Sequence, residues 1–124
     1  MQAMEQNPTR LCLDRIPGLD VERGLKTVGG RVESLARLLR RYEEVHAEDI
    51  HVLREGGDSA QRLAHSLKGA TGFLGLAAIQ DLVGRLEVAF REGAPQDQIG
   101  TLLEAFEREN QALCAAIRAL PVLP

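Results

Sequence analysis

The stretch LAHSLKGATGFLG, residues 63–75, gathers the side chains with the most chemistry to offer. His65 carries an imidazole, which can act as a base or nucleophile near neutral pH. Lys68 adds a fixed positive charge, and Gly69 and Gly72 remove side chains beside it. On an ideal helix of about 100° per residue, Ala60, Leu63, Ala64, Leu67, Thr71 and Leu74 fall in one narrow apolar stripe. His65 then lies roughly 160° from the centre of that stripe. Gln61, Lys68, Gly69 and Gly72 share its outward face, and Lys68 and Gly69 are its helical neighbours at three and four residues.

A glycine inside a helix costs about 1 kcal/mol relative to alanine. Two of them on a face that meets only water gain nothing in return. A second protein that brings its backbone close to the imidazole would give the missing side chains a purpose. Lys68 suits an anion at the ring nitrogen, since a phosphoryl group carries about −2 charge and three acceptor oxygens. Solvated histidines beside lysines are also common. On the residues alone, an anion site and an ordinary surface stand level.

The elements that must hold this face follow from periodicity and breakers. Residues 1–15 have little periodicity and read as a loosely ordered segment. Asp20 caps a short helix, DVERGLKTV, which ends at Gly29-Gly30. The spacing of Leu35, Leu38, Leu39, Tyr42, His46, Asp49 or Ile50, and Leu53 predicts one long helix from about Arg31 to Glu55. Gly56-Gly57 stops it, and Asp58 or Ser59 caps the helix that carries His65 as far as Leu74. Gly75 breaks that helix. A further helix covers about Leu76 to Arg91, with Ile79, Leu82, Val83, Leu86 and Phe90 inward. The last runs from Pro95 or Gln96 to Leu120, before Pro121. The expected fold is all-α: an antiparallel up-down-up-down four-helix bundle over residues 16–120, with a short extra N-terminal helix across one end.

Composition narrows the function. The chain has 124 residues, enough for one domain, and only 3% aromatics, so the core must be aliphatic. A net charge of −3 with no basic stripe argues against nucleic acid. No segment approaches the ~20 apolar residues of a membrane helix, and MQAMEQNPTR is no secretory signal. Cys12 and Cys114 read as free thiols in a reducing compartment, so a cytoplasmic location is expected. No Gly-rich phosphate loop supports a kinase, and no βα alternation supports a receiver. His46, Asp49 and His51 lack the spacing of helix-borne metal ligands, and EEVH at 43–46 has no second copy for a di-metal bundle. No metal site is expected.

His65-Ser66-Leu67-Lys68-Gly69, followed by Ala70, Gly72, Gly75 and the apolar Ile79, Leu82 and Leu86, closely resembles the histidine phosphotransfer (HPt) domain. The stretch IPGLDVERGLKTVGGRVESLARLLRRYEEVH is similar to HPt modules at the C-termini of bacterial hybrid sensor kinases. The resemblance covers about residues 16–119. It implies that His65 accepts a phosphoryl group on Nε2 and that Lys68 offsets its charge. It implies that Gly69 and Gly72 give docking clearance and that Glu87 holds Nδ1–H and orients the ring. Arg62 and Arg85 are candidates for steering a phosphorylated partner, with plain solvated charge as the competing reading. Ile16, Val21 and Leu25 are expected to cap the bundle near His65, any exposed one joining a docking patch. The partners implied are response-regulator receiver domains and a parent hybrid kinase, with Mg2+ supplied by the receiver and no cofactor of the chain's own. A monomer fits this role. The alternative is a helical adaptor bundle that carries no phosphate, which leaves the glycines beside His65 unexplained.

Overall fold

The computed structural model describes residues 7–121. Seven α-helices follow one another among these residues: α1 (Pro8–Leu13), α2 (Val21–Thr27), α3 (Val32–His46), α4 (Ile50–Glu55), α5 (Gly57–Leu74), α6 (Ala77–Glu92) and α7 (Gln96–Arg118). Local chemistry sets several ends. The Asp20 side chain accepts the Arg23 N–H at 3.1 Å and caps α2. Gly75 closes α5 in the left-handed region at φ 79°, where its N–H reaches the Gly72 carbonyl and the Leu76 N–H reaches the Thr71 carbonyl at 2.8 Å. Gly56 rather than Asp58 or Ser59 precedes α5, and neither side chain caps it.

The pillars of the bundle are α3 with α4, then α5, α6 and α7. Each packs on its sequence neighbour, and α7 returns to α3 and α4. Leu35, Leu39, Leu53, Leu67, Val83, Leu86, Phe106 and Ile117 fill the core without solvent contact. Burial at about 25 cal/mol per Å² of apolar surface holds such a core together.

The long helix expected over 31–55 is two helices. Between them, the Asn110 side chain of α7 donates to the His46 carbonyl at 3.1 Å. Continuous helix would give that carbonyl to the Ile50 N–H; instead, the Asp49 N–H meets it at 3.3 Å in a tighter turn. Asn110 is buried and also accepts the Tyr42 hydroxyl at 2.7 Å. The interruption is therefore held by a buried polar cluster, in which all three groups are bonded.

The N-terminal segment differs from expectation as well. Asn7 accepts the N–H groups of Thr9 and Arg10 and starts α1, and Leu13 is fully buried against the core. The ordered domain therefore begins before residue 16; residues 1–6 of the expected loose segment lie outside the described residues. The linker to α2 runs along the α5–α6 turn, where the Asp20 N–H donates to the Gly75 carbonyl at 2.7 Å and Leu19 bridges Leu76. A Cβ on Gly24 would sit 2.6 Å from the Leu74 carbonyl, so α2 lies backbone-close on the end of α5. Ile16, Val21 and Leu25 are all buried in making this cap. None is left for the exposed docking patch expected of them.

Candidate functional site

The core stripe of α5 consists of Ala60, Ala64, Leu67, Thr71 and Leu74, all buried. Thr71 satisfies its hydroxyl by donating to the Leu67 carbonyl at 2.7 Å. Anchoring these residues turns the opposite face to solvent, and His65 is 76% exposed there. On α6, burial of Val83 and Leu86 sets the register. It brings Glu87 to the α5 boundary, where the carboxylate is only 12% exposed.

Glu87 Oε2 lies 2.5 Å from His65 Nδ1. That contact assigns the ring proton to Nδ1 and leaves the Nε2 lone pair unshared by this bond. Lys68 Nζ is 3.9 Å from Glu87 Oε1. The same carboxylate thus draws the lysine toward the imidazole. The Lys68 aliphatic chain runs past Gly84, about 4.0 Å from where a Cβ would stand. An imidazole, an ammonium and a carboxylate are so collected at one exposed spot, an arrangement suited to holding an anion on Nε2 while countering charge that develops on the ring.

The two expected clearance positions differ. A Cβ on Gly69 would meet nothing within 4 Å, so the surface there is open. A Cβ on Gly72 would strike Gln80 Nε2 at 2.6 Å. The space over Gly72 is filled by the protein itself, which corrects the expectation that it lies open for a partner. Arg62 is exposed and lines a shallow hollow with Asp58, Gln61, His65, Ser66 and Glu87. Arg85 pairs with Asp81 at 3.1 Å and faces a groove between α6 and α7 that Lys68 also borders.

Three residues beside the site were not read from the sequence. Arg23 and Gln80 share a concavity with His65, Lys68, Gly69, Gly72 and Phe73. Phe73 is 52% exposed, eight residues along from His65. Its register on the outer face was readable from the helix period, whereas Arg23 and Gln80 arrive only through the packing of α2 and α6. Among the described residues, no group of three or more metal-binding side chains converges. None of the described helices is long and apolar enough to cross a membrane.

No curated protein and no solved structure matches the chain. The family model for the Hpt domain matches residues 25–120. That span includes α3 to α7 and the whole His65, Lys68 and Glu87 constellation, and the all-helical bundle agrees with it. The chain belongs to the Hpt domain family, whose members carry phosphoryl groups on histidine in phosphorelays, exchange them with receiver domains and have no kinase activity of their own.

Proposed function

We propose that His65 is the phosphoacceptor and that this domain relays a phosphoryl group between two receiver domains. The observation that carries the reading is the pairing of an exposed imidazole with a sheltered carboxylate, Nδ1 to Oε2 at 2.5 Å. Nε2 attacks the phosphorus of a receiver's aspartyl phosphate in line. The N–P bond forms as the P–O bond to the aspartate breaks, and the carboxylate leaves with that electron pair. The ring keeps its Nδ1 proton and becomes cationic, and Glu87 offsets that charge. Lys68 counters the charge of the phosphoryl oxygens. The second transfer reverses these steps onto another receiver's aspartate. Mg2+ belongs to the receiver and neutralises phosphoryl charge there.

The domain works in the cytoplasm as a monomer, without contacting nucleic acid or membrane, and serves a hybrid sensor kinase. Gly69 leaves the partner's backbone room over the helix, and Arg62 and Arg85 supply positive charge at the periphery. The test is transfer from a labelled phosphorylated receiver with Mg2+ present. Acid-labile label on the wild-type chain and none on His65→Gln is the expected result. A folded wild-type domain that takes no label from a panel of receivers would favour an adaptor bundle instead.

A further inference from the structure

Gly72 is bare for an internal reason. The Arg23 guanidinium, from α2, donates through Nη2 to the Gly72 carbonyl at 3.2 Å and to Gln80 Oε1 at 2.6 Å. Gln80 occupies the space where a Cβ at position 72 would stand. The helix that caps the bundle, the acceptor helix and α6 are tied at one point, and the tie fixes a guanidinium on the rim of the concavity that also holds His65 and Lys68. The neighbouring acid Glu22 is turned away to Arg10, at 2.9 Å. The charged side chains that line the concavity are Arg23 and Lys68, and the Glu87 carboxylate stands beside Lys68 at 3.9 Å, so Arg23 is the cation there that lies away from Glu87.

Gly72 lies seven residues beyond His65, about 10 Å along the helix at 1.5 Å per residue. At that distance, Arg23 does not reach a phosphoryl group on Nε2. It faces whatever surrounds the donor. Mg2+ at an aspartyl phosphate is held by one or two carboxylates together with phosphate oxygens and water, and a guanidinium fixed at this distance is complementary to acidic side chains outside those ligands.

We propose that Arg23, held in place by Gln80 and the Gly72 carbonyl, is a specificity-determining residue that pairs with acidic side chains at the rim of the receiver's phosphorylation site. This rests on the phosphoacceptor reading above. Charge at the rim of an interface acts mainly on association rate and is screened by salt. Arg23→Gln is expected to lower kcat/KM for transfer from the phosphorylated receiver about tenfold at ~0.01 M salt, with the gap closing toward ~1 M. Arg23→Lys retains most of the rate. Gln80→Leu, which keeps the charge and removes its anchor, gives a smaller loss. Phosphoramidate, a small donor that needs no docking, should load His65 equally in wild type and Arg23→Gln.

Wild-type rate and salt slope in Arg23→Gln would overturn the proposal and leave the tie purely structural. Equal loss with phosphoramidate and with the receiver would also overturn it, because the residue would then act at His65 itself. Failure of the phosphoacceptor reading looks different: label from neither donor on wild type, or label that persists in His65→Gln.

Discussion

At His65, the decisive partner is Glu87, and the two contribute separately. Glu87→Ala keeps the proposed nucleophile and frees the ring. It should slow receiver-dependent labelling about 10- to 100-fold, the range seen when a metal-bound histidine loses the carboxylate that orients it. Quenched time courses against wild type check this. Gly69 tests the clearance argument in a way that separates stability from function. Its Cβ would meet open space, so Gly69→Ala should raise unfolding free energy by about 0.5–1 kcal/mol while slowing transfer from the receiver. A variant that is both more stable and equally fast would show that the bare surface has no part in docking. Gly72→Ala should lack that gain, since its Cβ meets Gln80 at 2.6 Å and must displace it. The sequence made His65, Lys68 and Gly69 readable because their positions depend only on the helical period. Gly72 shares that face, but its true neighbour comes from α6, which no period in α5 reveals.

At the level of elements, punctuation decided what could be read. The α5–α6 hairpin was legible because Gly75 terminates one helix and an apolar period restarts at once. The division between α3 and α4 was not, because residues 47–49 contain no glycine or proline. The cause is Asn110, which lies 64 residues away and is brought close by tertiary packing. Asn110→Ala would leave the buried Tyr42 hydroxyl without its acceptor and take from the His46 carbonyl one of its two donors, the Asp49 N–H remaining. It should cost about 1–3 kcal/mol in denaturant unfolding. Helix α1 leaves no periodic signal in the sequence, because six residues are too few to display one. Its Leu13 is nonetheless a core residue, and Leu13→Ala should destabilise the domain by about 2–5 kcal/mol, measured by the same unfolding curves. Removing residues 1–15 would take away that side chain and the Asn7 cap together.

For the molecule as a whole, buried acids set its behaviour in alkali. Burial pushes the Cys114 thiol from its ordinary 9.0 up to about 11, and burial likewise raises the Tyr42 hydroxyl above its usual 10.0. Both groups hold their protons more tightly when folded. Their contribution is complete below about pH 9 and is lost as pH rises through the folded values. Unfolding midpoints should fall between pH 9 and 11, and Cys114→Ala should flatten that slope. The same burial predicts that a thiol reagent modifies half-buried Cys12 in the native protein and reaches Cys114 only on unfolding. On the acid side, the Arg54 guanidinium donates to Glu107 and holds its carboxyl below the usual range, a surface contribution that fades as pH falls through that carboxyl's lowered value.

One exposed nitrogen on one face also fixes the kinetics of any relay through this domain. With His65 as the proposed carrier, donor and acceptor must occupy the same ground around His65 and Gly69, so no complex holds both at once. Transfer is then ping-pong, and the carrier must be vacated between its two half-reactions. An acceptor receiver present in excess and without phosphate becomes a competitive inhibitor of loading. The flux through the domain would pass through a maximum as acceptor concentration rises, a ceiling imposed by the exposure of a single side chain.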